Sequence, residues 1–175
     1  VSELFDRQRI HSVLQAIVEG LDGDWLLVGG ALVSLWLEPR RTTEDLDLIA
    51  VSGSMEQRLA LLSFTESLDL PVEAVNSAAD FFVHSIEGWR SETEVLMKGK
   101  RGRILRPTPT LFLLLKMRRL SEQDLEDCVA VVSAVKNKEL RLDAPRLTAA
   151  LAALAGSQDA ALNGRREKLL SLIQG

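Results

Sequence analysis

The sequence predicts an α/β fold, α+β in layout: a mixed sheet flanked by helices, followed by a C-terminal helical part. Three observations point there. Short apolar runs alternate with stretches of helical spacing as far as Pro107. Beyond Pro109 every candidate element is rich in Ala and Leu and favours helix. The chain has 175 residues, 46% apolar and 26% charged, which is ordinary globular composition. A chain of that length buries about 70% of its unfolded surface. The expected division is an α/β core over residues 1–108 and a helical part over 109–175 packed on it.

The elements follow in order. Leu4, Phe5, Ile10, Val13, Leu14 and Ile17 approximate helical spacing over residues 3–20, with Ser2 near the start and Gly20 and Gly23 as stops. Trp25–Val28 is a short continuous apolar run, read as a buried strand. Gly29-Gly30 breaks it, and Ala31–Leu37 reads as a helix ended before Pro39. Asp45–Val51 is the second strand. Met55–Leu68 is a helix with Leu59, Leu62 and Leu68 on its apolar side. Leu70–Val75 is a third strand, and Phe81–Ile86, Glu94–Met97 and Arg103–Leu105 are extended candidates. Lys98 to Arg103 reads as a hairpin turn. Leu111–Leu120, Gln123–Val135, Pro145–Leu154 and Asp159–Ile173 are the rear helices.

Composition excludes several functions. Lys plus Arg is 21 and Asp plus Glu is 25, for a net charge of −4, so the chain does not bind nucleic acid by bulk charge. Cys128 is the one cysteine, so no internal disulfide and no Cys-based zinc site can form. His11 and His84 are the only histidines, which argues against most metalloenzyme designs and against Ser34 as a triad nucleophile. The longest apolar stretches are far below a bilayer span. The N-terminus shows no targeting pattern, so a cytoplasmic location away from membranes is expected.

The most informative residues are Gly29-Gly30 and the stretch Arg41-Thr42-Thr43-Glu44-Asp45-Leu46-Asp47-Leu48. Asp45 and Asp47 are two apart in a strand, so both side chains leave one face, about 7 Å apart along the strand. Leu46 and Leu48 point the other way, into the core. Two carboxylates on one face repel, and a divalent cation offsets that repulsion. Mg²⁺ commonly takes one or two carboxylates together with phosphate oxygens and water. Such ions serve in-line phosphoryl and nucleotidyl displacement. The strand, Gly29-Gly30 and helix order supplies free backbone N–H groups for a phosphate, with no Cβ in the way. Arg40 and Arg41 could hold substrate phosphates or offset the carboxylates, and both readings stay open.

This order resembles the DNA polymerase beta-like nucleotidyltransferase superfamily, in which a glycine-containing turn precedes an Asp-x-Asp pair on the next strand. Within it, the chain looks most like small prokaryotic members, among them the nucleotidyltransferase toxins of abortive-infection systems. The rear pattern fits more loosely: Pro107 or Pro109, Leu111–Lys116, Arg118 or Arg119, then Asp124 and Asp127. The likeness spans roughly residues 25–130. It implies Asp45 and Asp47 as ligands of Mg²⁺ or Mn²⁺, with Gly29, Gly30, Arg41, Thr43 and Lys116 around the NTP. It implies a third catalytic acid on an adjacent strand, which points to Glu73, with Asp80 the weaker candidate. The implied reaction moves a nucleoside monophosphate from an NTP to a hydroxyl of RNA, a protein or a small molecule. The alternative is a non-catalytic nucleotide-binding, regulatory or antitoxin-like protein on the same fold.

The remaining candidates have plainer readings. Lys98, Lys100, Arg101 and Arg103 could face RNA phosphates, but no aromatic residues interleave, so a solvated turn is favoured. Lys116 could snorkel, reach the site, or pair with Asp124 or Asp127. Trp36 and Trp89 are expected to pack in the core, His84 to sit on a strand, and Cys128 to be buried. The Ala-rich helices Pro145–Leu154 and Asp159–Ile173 could meet a partner protein or a second copy.

Overall fold

The structure, a computed structural model, describes residues 4–71, 74–138 and 140–175. The chain divides into two compact units, Val1–Pro107 and Thr108–Gly175. The first is mixed α/β and the second is helical among its described residues.

The first unit opens with α1 (Arg7–Gly20). Its cap is Asp6, whose carboxylate accepts the Arg9 N–H at 2.8 Å. Ile10, Val13, Leu14, Ile17 and Val18 form its buried stripe. Phe5 stays outside the helix and forms an isolated bridge with Thr43. Leu4, expected on the apolar face, is exposed, and Ser2 lies outside the described residues.

Five strands form the sheet: β1 (Gly23–Val28), β2 (Leu46–Ala50), β3 (Val75–Asn76), β4 (Thr93–Lys98) and β5 (Gly102–Pro107). Their spatial order is β3-β2-β1-β5-β4. The β1/β5 and β2/β3 pairs are parallel, and β1/β2 and β4/β5 are antiparallel. Trp25 to Val28 are buried, as a central strand requires. Helix α2 (Gly29–Trp36) starts on the glycine pair itself. It packs near β1 and β2, while α1 lies against β4 and β5 and touches α2.

Three expectations are corrected. Helix α3 (Met55–Glu66) buries Leu61 and Thr65, whereas Leu59 and Leu62 are exposed. The ring of Phe64 occupies the space where a side chain on Gly20 would lie, which rotates the Leu61 side of the helix inward. The segment after Ser77 is not extended but helical, α4 (Asp80–His84), so His84 sits on a helix. An ion pair between Arg58 and Asp80 ties α3 to this short helix, with His84 Nδ1 at 3.2 Å from the same carboxylate. The third strand is only Val75–Asn76, and residues 72–73 lie outside the described residues.

The second unit contains α5 (Pro109–Lys116), α6 (Glu122–Lys138), α7 (Ala144–Ala153) and α8 (Ala160–Gln174). Thr108, Asp143 and Asp159 cap α5, α7 and α8 through their side chains. Ser121 and Asp124 cap α6 reciprocally: each backbone N–H donates to the other side chain, at 3.0 and 3.1 Å. Arg166 pins α8 by donating to the carbonyls of Met117, Arg118 and Leu154 at 2.7–3.2 Å. Those carbonyls lie just past helix ends, where the helical ladder leaves acceptors open. Among the described residues no helix is long and apolar enough to cross a membrane.

Two glycines test the packing. Gly164 is in α8 with no atom within 4 Å of an added Cβ, so Gly164→Ala is expected to stabilise by about 1 kcal/mol through helix propensity. A Cβ on Gly102 meets the Leu21 carbonyl oxygen at 2.6 Å and that of Gly23 at 2.8 Å. Because these are backbone atoms, Gly102→Ala is expected to destabilise by about 1–3 kcal/mol. Urea titration of both variants checks the opposite signs.

Candidate functional site

The site is built where β1 ends and β2 begins. Antiparallel pairing puts Val28 opposite Asp47, so the Gly29-Gly30 turn lies beside that carboxylate. Gly29 has φ +72°, a left-handed conformation that L side chains rarely adopt. A Cβ there would collide with Asp47 Oδ2. A Cβ on Gly30 would lie 2.9 Å from Thr43 Oγ1 and 3.6 Å from Arg41 Nη2. Gly29 is favoured by its backbone conformation, and a side chain at either glycine would displace the Asp47 or Thr43 side chain. Gly29, Gly30, Arg41, Thr43, Asp45 and Asp47 are all partly exposed.

Asp45 sits one residue before β2, with its side chain among neutral donors. Asn76 Nδ2 donates to Asp45 Oδ2 at 3.0 Å, and the Thr43 hydroxyl lies 3.4 Å from Oδ1. Asn76 is on β3 directly opposite Asp47. The loop carrying Arg41 and Thr43 is fixed from two sides. The buried Ser34 hydroxyl donates to the Arg41 carbonyl at 2.8 Å. Phe5 and Thr43 exchange backbone hydrogen bonds at 2.7 and 3.1 Å.

The structure thus brings together six of the expected residues in one unit. Glu73, the expected third acid, lies outside the described residues. Asp80 is engaged with Arg58 and His84. Asn76 and Ser34 were not singled out as site residues by sequence. Asn76 has only its place after an apolar strand residue to mark it, and Ser34 looks like any small residue in an apolar helix.

Among the described residues no group of three or more His, Cys, Asp or Glu side chains converges as a metal site.

Lys116 belongs to the second unit. Its Nζ is 2.7 Å from Asp124 Oδ1 and 3.2 Å from Asp127 Oδ2, both aspartates being buried. Arg119 adds two hydrogen bonds to Asp124 at 3.0 and 3.1 Å. Of the roles open to Lys116, pairing with these aspartates is the one formed. Burial alone raises the Asp124 carboxyl, but Arg119, Lys116 and the Ser121 N–H outweigh it and hold it well below the usual carboxylate range. Cys128 is buried beside this cluster, and burial pushes its thiol up to about 12, so it has little thiolate character.

Three of the four hairpin cations are paired within their own unit. Arg101 pairs with Asp22 and donates to the Gly20 carbonyl at 2.8 Å. Arg103 pairs with Asp24 at 2.5 Å, and Lys100 lies 3.6 Å from Glu19. Trp89 is buried, and Arg106 covers the Trp36 ring at 4.3 Å from its centroid. No protein family, curated protein or solved structure matches the chain.

Gly29→Ala is expected to cost about 1–3 kcal/mol, from the left-handed backbone and the collision with Asp47. Thermal and urea unfolding measure it. The Asp124 cluster sets an acid limit. The native carboxyl is depressed, so its contribution is complete above the unfolded value of about 4 and fades as pH falls towards the native one. Stability of the parent chain should therefore drop below about pH 4 more steeply than that of Asp124→Asn. At pH 7 that variant should be about 3 kcal/mol less stable, because Lys116 and Arg119 lose their shared partner.

Proposed function

We propose that the Val1–Pro107 unit is a nucleotidyltransferase. It would bind an NTP across the Gly29-Gly30 turn and transfer the nucleoside monophosphate to a hydroxyl acceptor. The observation that carries this reading is the close approach of a glycine helix start to the Asp47 carboxylate. The Gly29 backbone lies against Asp47, and Arg41 and Thr43 border Gly30.

Helix N–H groups at Gly29 and Gly30 would receive the β- and γ-phosphates. Arg41 and Thr43 would add a cation and a hydroxyl beside them. Asp45 and Asp47 would hold Mg²⁺, which when bound supplies neutralisation of the triphosphate charge. The acceptor oxygen forms a bond to the α-phosphorus, the bond to the β-phosphate oxygen breaks, and pyrophosphate leaves. Glu73 is the proposed base for the acceptor proton. RNA or protein is the proposed acceptor class, by resemblance to toxin-like nucleotidyltransferases, and the cytoplasm, where NTP is abundant, is the proposed location.

One observation favours a second reading, a nucleotide-binding or regulatory protein without transfer. The strand position facing Asp47 carries the amide of Asn76 and not a carboxylate.

Incubation with each α-labelled NTP, Mg²⁺ and a cell lysate separates the two. Transfer of label is expected, reduced roughly 100-fold or more in Asp45→Ala and Asp47→Ala through loss of several kcal/mol of charge stabilisation. Nucleotide binding without label transfer to RNA, protein or small molecules would support the second reading. Absence of both would overturn the two together.

A further inference from the structure

We infer that the outer face of α3, with the neighbouring Phe81–Phe82 pair, is a docking surface for a basic amphipathic helix of a partner protein. Seven large apolar side chains are exposed among the described residues, and five of them lie here: Met55, Leu59, Leu62, Phe81 and Phe82. Met55, Leu59 and Leu62 recur at i, i+4 and i+7, the spacing of a seam between two packed helices. The other side of α3 already buries Leu61 and Thr65, where the helix packs on α1 and β2. The stripe is thus a second apolar face on the same helix, turned to solvent. The Phe81 and Phe82 rings meet edge to face at 5.8 Å, with Phe81 74% exposed. They adjoin the stripe, because Asp80, next to Phe81, pairs with Arg58, next to Leu59. Single exposed leucines are ordinary on a surface, whereas a concentration on one helix and its tied neighbour marks an interaction site.

Charge selects the occupant. The exposed positions of α3 carry Glu56 and Glu66 and no Lys or Arg, since the half-buried Arg58 is held by Asp80. Glu66 lies in the last turn, where a carboxylate opposes the negative end of the helix and no basic residue offsets it. Asp69, also exposed, follows three residues later. Arg90, the exposed cation nearest the phenylalanines in sequence, lies over the Trp89 ring and donates to the Val51 carbonyl at 3.1 Å.

A second copy of the chain would set Glu56 against Glu66 if the two helices ran antiparallel, and each glutamate against itself if parallel. Both arrangements place like charges together. An anionic lipid surface would be repelled for the same reason. A partner helix with apolar residues on Met55, Leu59 and Leu62, and Lys or Arg beside Glu56 and Glu66, matches both the stripe and its charge. A cation beside Glu66 would also meet the open carbonyls of the last turn. The twelve residues of α3 offer about 18 Å of helix, so a partner segment of three to four turns covers them.

The test uses the full chain and a fluorescein-labelled peptide of leucine, alanine and lysine. The peptide is about 16 residues long, with leucines at helical spacing and lysines on both flanks. A counterpart carries glutamate in place of each lysine. Fluorescence anisotropy compares the parent with Leu59→Ser/Leu62→Ser, Glu56→Gln/Glu66→Gln and Val95→Ser, the last at an exposed apolar residue on β4. Circular dichroism checks folding. The lysine peptide is expected to bind the parent, about tenfold more weakly to the double serine variant and severalfold more weakly to the glutamine variant. Val95→Ser should bind as the parent does. Failure of the lysine peptide to bind the parent, or equal binding of the glutamate peptide, would overturn the inference. So would affinity unchanged in either double variant, or weakened as much by Val95→Ser. A Leu59→Ser/Leu62→Ser chain that does not fold would assign the stripe to the core and overturn it as well. A parent dimer in sedimentation that the double serine variant loses would give the face to a second copy. Binding of the parent to phosphatidylserine vesicles, lost in that variant, would give it to a membrane. Either result overturns the partner helix.

Discussion

The antiparallel register of β1 on β2 is the constraint on which the first unit's site depends. Pairing Val28 with Asp47 sets the end of one strand beside the start of the other. The next two residues after Val28 must then turn into α2 within touching distance of a carboxylate. A slip of one residue would send Asp47 to the core face and a leucine to the turn. Glycine at both turn positions, the buried Ser34 hydroxyl and the Phe5–Thr43 bridge all serve this one approach. The same register carries over to β3, where it sets Asn76 opposite Asp47.

Charge is handled locally in both units. The hairpin arginines meet Asp22 and Asp24 across parallel strand ends, because β1 and β5 pair Asp24 directly with Arg103. In the helical unit a lysine lies between two buried aspartates, and an arginine closes over one of them. Removing one member of such a cluster leaves a buried charge unmatched, so the cluster constrains the end of α5 against α6. The whole-chain charge of −4 conceals these pairings, and says little about which charges can meet a ligand.

Much of the fold was legible because its signals are local. Trp25–Val28 is apolar throughout and forms a central strand, and the alternation of Asp45, Leu46, Asp47 and Leu48 separates a solvent face from a core face. The segments misread were those decided by neighbours. Leu59 and Leu62 are as apolar as Leu61, but the contact between Phe64 and Gly20 chooses the buried face. Phe81 to His84 has extended-strand composition, yet the Arg58–Asp80 ion pair and the Asp80–His84 contact hold one helical turn. Lys116 was equally able to snorkel, bind phosphate or pair with acids until its distances to Asp124 and Asp127 were known.

The sequence by itself determined the mixed α/β class, the glycine turn after a buried strand, and the alternation that leaves Asp45 and Asp47 partly exposed around the buried Leu46. Each follows from spacing along a few residues, which the backbone geometry of helix and strand converts directly into direction. Only the tertiary structure decided that Asp47 lies against Gly29 and that an amide donates to Asp45. The Asn76–Asp45 bond spans 31 residues of chain. Such contacts are set by strand order and register across the sheet, and no local period in the sequence encodes which strand will lie beside which.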